Sequence, residues 1–232
     1  MPDTAMSAPR PFPAAVLFDM DGTLVDTEQL WWQTAAELAE ELHRPLTEQD
    51  APEVLGQAVE HTAAHLRAVS GTALDEAELA ARLGDSFAAR VAAETVPRPG
   101  ALALLAALRD AGVPTALVSA SPRRVVELVL AAIGRDWFAV TLAAEDTERT
   151  KPAPDPYLAA AERLGLAPAA CLAVEDTPTG VASAAAAGCA VLAVPSTPAP
   201  MPGGERITLL ASLEQADLAL LGKLAGPGAV RP

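Results

Sequence analysis

Short apolar runs alternating with helical patterns constrain this chain more than any other feature. Five runs occur, Ala14 to Phe18, Thr115 to Ser119, Val140 to Ala143, Cys171 to Val174 and Ala190 to Val194. Runs of that length read as buried strands. Apolar residues spaced three and four apart predict helices over Ala101 to Ala111, Arg123 to Ile133, Asp155 to Leu164 and Gly180 to Ala187. Strands that alternate with helices imply right-handed crossovers. The expected fold class is therefore α/β, a Rossmann-like parallel sheet with helices on both faces. Ligands bind such sheets beyond the carboxyl ends of the strands.

One stretch breaks the alternation. From Glu28 to Val96 the pattern is helical throughout, carried by "TEQLWWQTAAELAEEL", "GQAVEHTAAHLRAV" and "DEAELAARLGDSFAARVAAE". Pro97 and Pro99 forbid helix continuation and Gly100 permits a turn, so the sheet resumes there. Residues 28–96 are expected to form an inserted helical domain, and residues 1–27 and 97–232 the sheet domain. A chain of 232 residues can bury a core in each. Hydrophobic residues make up 51% and aromatics 3%, so Ala, Leu and Val must fill those cores.

The formal net charge of -14 repels nucleic acid phosphates and anionic lipid headgroups, which excludes both as expected partners. An anionic substrate would need local positive potential, most simply from a metal ion. Cys171 and Cys189 form no CxxC pair or Cys/His cluster, which argues against a zinc site or a disulfide framework and fits a reducing cytoplasm. The apolar stretch near the N-terminus is short and interrupted by Pro11 and Pro13, unlike a secretory signal. Gly188 and prolines between Pro178 and Pro202 break the uncharged stretch from Thr177 to Gly204, so no membrane span is expected. The tail "GKLAGPGAVRP" is expected to fray. Oligomeric state is not legible, and a monomer is the default expectation.

Against this background "VLFDMDGTLVDTE" concentrates Asp19, Asp21, Asp26 and Glu28 at the end of the first run. Their mutual repulsion calls for a cation or a reaction. Asp19, with an ordinary carboxyl pKa of about 3.9, is ionised at neutral pH and needs no helper base to act as a nucleophile. Asp21 lies two residues on, on the same side of an extended segment, where it can serve as acid and then base. Gly22 allows a sharp backbone turn and Thr23 a hydrogen bond within the loop. The polar residues Ser119, Ser121, Glu175 and Asp176 end other runs, and Lys151 lies in a further loop. The chain has only two lysines, so a Lys in "KPAPDPY" points to a required point charge. At about 4 Å an opposite charge pair is worth roughly 4 kcal/mol at an effective dielectric of 20.

Four motifs in order, "DMDGT", "VSAS", "KPAPDPY" and "VEDTPTG", resemble the haloacid dehalogenase superfamily of phosphohydrolases, in particular members with a helical cap after the first strand. The similarity runs from Ala14 to about Leu221 and looks nearest to sugar phosphate phosphatases and β-phosphoglucomutase. The resemblance implies Asp19 as nucleophile, Asp21 as acid and base, Lys151 as phosphoryl-neutralising cation and Ser119 as phosphoryl donor. It implies substrate contacts from Ala120 through its backbone N–H, and from Ser121, Thr23 and Arg123. It also implies Mg²⁺ held by Asp19, Asp176 and the Asp21 carbonyl, with Glu175 acting through a water. The substrate would be a small phosphorylated metabolite, a sugar or polyol phosphate.

Simpler readings compete at several positions. "DMDG" does not fit an EF-hand, because a strand rather than a helix precedes it and the first ligand position would be Leu17. Glu175 and Asp176 could cap the following helix. Asp26 and Glu28 read as shaping the hinge and the first helix N-terminus. Trp31 and Trp32 read as packing. His61 and His65 share a helix face without a third ligand, and so read as cap surface or substrate contacts. Arg123 and Arg124 either reach a second anionic group or coat a helix. Asp21 separates the chain from dehalogenases, and the lack of Lys before Lys151 separates it from Schiff-base phosphonate cleavage. Mutase activity is the rival: the resemblance would call for an Arg where Val59 stands, and that departure favours hydrolysis. A non-catalytic phosphometabolite-binding protein is the third reading.

Overall fold

The computed structural model describes residues 12–197 and 199–225. Of the tail expected to fray, residues 222–225 are helical instead, and the rest lies outside this range, as do the residues before Phe12. Six strands, β1 (Ala15–Phe18), β2 (Thr115–Val118), β3 (Val140–Leu142), β4 (Cys171–Glu175), β5 (Ala190–Ala193) and β6 (Ile207–Leu209), form one sheet in the order β3-β2-β1-β4-β5-β6. Every pairing is parallel. The order reverses at β1, whose Phe18 pairs with Leu117 of β2 on one side and Val174 of β4 on the other. The carboxyl ends of these three strands are therefore level, and they form the switch point at which open α/β sheets bind ligands.

Alternate residues of each strand serve opposite faces. Val16 and Phe18 join Leu117, Leu172, Val174 and Leu192 beneath helices α4 (Ala101–Asp110), α5 (Arg123–Ile133) and α8 (Leu218–Ala225). Ala15 and Leu17 join Ala116, Val118, Ala173 and Val191 beneath α6 (Asp155–Arg163) and α7 (Pro178–Ala186). The small residues on the second face let α6 and α7 approach closely. Truncating a fully buried side chain such as Leu17 would cost about 2–5 kcal/mol.

The expected strands are present with ends moved by at most one residue. β6 is new: its three residues are half-buried or exposed at the sheet edge, too short and too open to show as an apolar run. α7 begins two residues before the expected Gly180, because Pro178 occupies the first turn, where its missing N–H costs nothing, and Thr177 caps it by accepting from the Gly180 N–H at 3.0 Å.

Between β1 and β2 lie α1 (Thr27–Glu41), α2 (Val59–Ser70) and α3 (Glu76–Glu94), with a 3₁₀ segment at Glu48–Glu53 that the helical pattern did not reveal. They enclose their own apolar cluster of Trp31, Ala35, Leu38, Ala39, Val54, Ala63, Leu66, Leu79 and Leu83. Trp31 meets Phe87 edge-on at 5.1 Å and donates its indole N–H to the Val54 carbonyl at 2.9 Å. Trp32 is half-buried against the same cluster. The two connections to the sheet run side by side, joined by the Val25–Pro97 bridge and by the Arg98 N–H donating to the Leu24 carbonyl at 2.8 Å. Phe87 touches the apolar clusters on both sides, and Arg124 of α5 pairs with Asp85 of α3 at 2.9 Å.

Candidate active site

Asp19 leaves the end of β1, its N–H held by the Val174 carbonyl of β4 at 2.9 Å. Glu175 ends β4 and Asp176 follows it. Oxygens of Asp19, Glu175 and Asp176 lie within 4.8 Å of one another, and all three residues are buried. Into this cluster the loop before α6 sends Lys151, whose Nζ donates to Asp19 Oδ1 at 2.5 Å and to Glu175 Oε1 at 2.6 Å. Two glycines make the space. A Cβ at Gly22, whose φ is +81°, would lie 2.0 Å from Asp176 Oδ2, and one at Gly180 would lie 2.0 Å from Glu175 Oε2. No side chain larger than hydrogen fits at either point.

Three carboxylates facing one ammonium leave the cluster short of positive charge. Burial pushes Asp19 well above the usual carboxylate range; Lys151 opposes the rise, while Glu175, Asp176 and Asp21 add to it. Burial likewise lifts Asp176 to about 7, against the hydrogen bond from Ser196 and with Glu175 adding to the rise. For Lys151, burial favours the neutral amine, but Asp19 and Glu175 together win and hold it protonated. Asp19 Oδ2 is buried without a hydrogen-bond partner. A buried, unpaired carboxylate oxygen is costly. Excess negative charge and hard oxygen donors fit a divalent cation of the Mg²⁺ type, which the converging oxygens of Asp19, Glu175 and Asp176 could hold.

Asp21 stands apart from this group. Its Oδ1 accepts from Thr27 Oγ at 2.6 Å, and its Oδ2 from Ser119 Oγ at 3.0 Å and Ser121 Oγ at 2.8 Å. Three hydroxyls hold its two oxygens and fix its orientation. Ser119 and Ser121 are thus engaged with Asp21, and the Ser121 N–H donates to Ser119 Oγ at 2.9 Å. Ala120 between them is exposed. Thr23 Oγ lies 3.5 Å from Asp176 Oδ1, at the outer limit of a hydrogen bond.

Arg123 is not brought to the cluster. Its guanidinium pairs with Asp146 and donates to Thr141 Oγ at 3.0 Å, beside β3. Glu175 is turned towards Lys151 and Tyr157 rather than outward, with Oε2 accepting the Asp176 N–H at 3.2 Å. His61 and His65 both face the 3₁₀ segment, bonded to Glu53 at 2.6 Å and Asp50 at 2.9 Å, and so knit the helical insertion together. Asp26 caps α1 at the long distance of 3.5 Å, and Glu28 accepts the Gly56 N–H at 3.1 Å.

Three contributors escaped the sequence. Ser196 donates to Asp176 Oδ2 at 2.5 Å from a loop whose prolines made it look merely irregular; its position just past the end of β5 was the available signal. Thr27 looked like an ordinary first-turn residue. Tyr157 belonged to a quoted motif without a role of its own.

A family model described as haloacid dehalogenase-like hydrolase matches residues 13–188. Hexitol phosphatase A of Escherichia coli is 37% identical over 206 residues, covering 86% of this chain and 91% of that protein. The crystal structure of CbbY from Rhodobacter sphaeroides in complex with phosphate is 27% identical and superposes with a TM-score of 0.74, covering 88% of this chain and 96% of that one. A mutant of the same CbbY in complex with xylulose-(1,5)bisphosphate is 25% identical with a TM-score of 0.73, again covering 88% and 96%. On the extent of the family match and the identity to a relative covered over most of both lengths, this chain belongs to the haloacid dehalogenase-like hydrolases.

Proposed function

We propose that this protein is a Mg²⁺-dependent phosphatase that hydrolyses a small phosphomonoester, a sugar or polyol phosphate, through an aspartyl-phosphate. One observation carries the reading: the lysine-bridged cluster leaves Asp19 with a buried oxygen that nothing among the described residues satisfies. A carboxylate oxygen held beside a fixed ammonium suits attack on phosphorus. The relative named hexitol phosphatase A supports a polyol or sugar leaving group.

In this reading Asp19 forms a bond to phosphorus as the bond to the leaving oxygen breaks, and Asp21 gives that oxygen a proton. Water then attacks the aspartyl-phosphate, Asp21 takes a proton from the water, and inorganic phosphate leaves with Asp19 restored. Lys151 steadies the phosphoryl oxygens throughout, joined by donors from the Ser119–Ser121 loop and Thr23. Bound by Asp19, Asp176 and the Asp21 carbonyl, Mg²⁺ would supply charge neutralisation for the incoming phosphate. Residues 28–96 act as a cap over the strand ends, with residues 1–27 and 97–232 as the core domain. The net charge of -14 supports a small-molecule partner rather than nucleic acid. None of the described helices is long and apolar enough to cross a membrane, and the two thiols support a cytoplasmic setting.

Phosphate release measured with Mg²⁺ across sugar phosphates, polyol phosphates and nucleotides tests this. Turnover is expected on the first two. No release from any compound, alongside ligand-induced thermal shifts, would replace the enzyme with a binding protein. Glucose 6-phosphate formed from β-glucose 1-phosphate would replace hydrolysis with mutase chemistry.

A further inference from the structure

Tyr157 is the third residue of α6 and is fully buried. Its hydroxyl donates to Glu175 Oε1 at 2.5 Å, the same oxygen that accepts from Lys151 at 2.6 Å. Its ring lies beneath the Lys151 ammonium, with Nζ 5.2 Å from the centroid. A buried phenol whose one hydrogen bond goes to a buried carboxylate is a costly arrangement unless the carboxylate must be held. Glu175 is held on every side: Tyr157 and Lys151 on Oε1, the Asp176 N–H on Oε2, and the hydrogen-only Gly180 against the carboxylate.

We propose that Tyr157 is a positioning residue for the phosphoryl-transfer step, acting through Glu175 to set Lys151; this rests on the phosphatase reading above. Lys151 has three N–H bonds. Asp19 and Glu175 take two, which leaves the third for a phosphoryl oxygen. By donating to Oε1, the Tyr157 hydroxyl withdraws part of the negative charge that draws Lys151 towards Glu175. The ring beneath Nζ limits how far the ammonium can retreat. Glu175 therefore anchors the lysine, and the cation is left to Asp19 and Asp176.

Tyr157→Phe keeps the ring and removes only the donor. With an activated aryl phosphate as substrate, kcat/KM is expected to fall about tenfold, with the loss in kcat and with weaker inhibition by inorganic phosphate. Mg²⁺ affinity from calorimetry on the resting protein is expected to stay within about twofold. A residue that merely packs would lower stability and leave phosphate inhibition unchanged. The chain contains a single tyrosine, so biosynthetic replacement by 3-fluorotyrosine labels this site alone. Its one ¹⁹F resonance should shift when inorganic phosphate is added with Mg²⁺, and this holds even if Tyr157→Phe fails to fold. Unchanged kcat/KM in Tyr157→Phe, an Mg²⁺ affinity that drops in step with kcat/KM, or a resonance that phosphate does not move would overturn the proposal. If the unmodified protein hydrolyses no phosphate ester, the phosphatase reading itself fails, which the wild-type control reports separately.

Discussion

The molecule holds two buried polar clusters of opposite character, one at the strand ends and one inside the helical insertion. In the insertion, Asp50 is almost fully buried yet completely served. Its Oδ2 accepts from the Thr47 N–H at 2.8 Å and Thr47 Oγ at 2.9 Å, while Oδ1 accepts from His65 at 2.9 Å with Arg44 3.6 Å away. The Thr47 backbone bond, with the Thr47 hydroxyl, His65 and Arg44, outweighs burial and brings Asp50 down to about 2. At the strand ends, burial wins instead and Asp19 and Asp176 rise. The difference lies in donors per carboxylate. A cluster that holds a helix connection in place has its donors supplied by the protein, whereas a cluster that handles a ligand leaves them to be supplied from outside.

That contrast breaks most sharply at Asp19. Asp19→Asn is expected to reduce kcat by about four orders of magnitude or more while leaving the melting temperature of the metal-free protein within a few degrees, since burial already disfavours the charged form of Asp19. Turnover assays and calorimetry check the two together; a destabilised, inactive variant would mean the strand-end cluster is structural. Asp50→Ala should behave inversely. Removing the acceptor strands the Thr47 donors and His65, costing about 3 kcal/mol in urea unfolding, with kcat on a small aryl phosphate little changed.

A smaller effect separates the clusters by metal and pH. Because burial lifts metal-free Asp176 to about 7, binding Mg²⁺ must displace its proton at lower pH, so affinity should weaken by at least about tenfold per unit below that value. Calorimetric titrations between pH 5.5 and 8 would show it, and a flat profile would remove Asp176 from the ligand set.

The smallest expected effect is on stability alone. Between about pH 4 and 7 the folded, metal-free protein holds on Asp176 a proton that the unfolded chain has released, so its melting temperature should decline as pH rises through that window, and the upward shift of Asp19 acts in the same direction. Saturating Mg²⁺ should abolish the decline. Asp50 has the opposite sign. Its contribution is complete above about pH 4 and is lost as pH falls towards 2, and Asp50→Asn should flatten that acid limb. Thermal scans with and without Mg²⁺ distinguish the two limbs.

The sequence by itself determined the parallel sheet, because period and burial leave their mark on runs such as Val16 to Phe18 and Cys171 to Val174, every residue of which is apolar and buried. It also marked Asp19, Glu175 and Asp176 as acids at the ends of apolar runs, and Lys151 as one of two lysines in a chain that otherwise uses arginine. β6 stayed hidden because an edge strand buries little, and Ser196 because a hydroxyl in a proline-rich loop carries no period. Only the tertiary structure decided which donor meets which oxygen. It assigned Ser119 and Ser121 to Asp21, turned Arg123 towards Asp146, and set Tyr157 against Glu175. Those partners lie between 18 and 100 residues apart in the chain. Hydrogen bonds form over about 3 Å, a scale that local pattern cannot resolve and that packing of the sheet and helices sets.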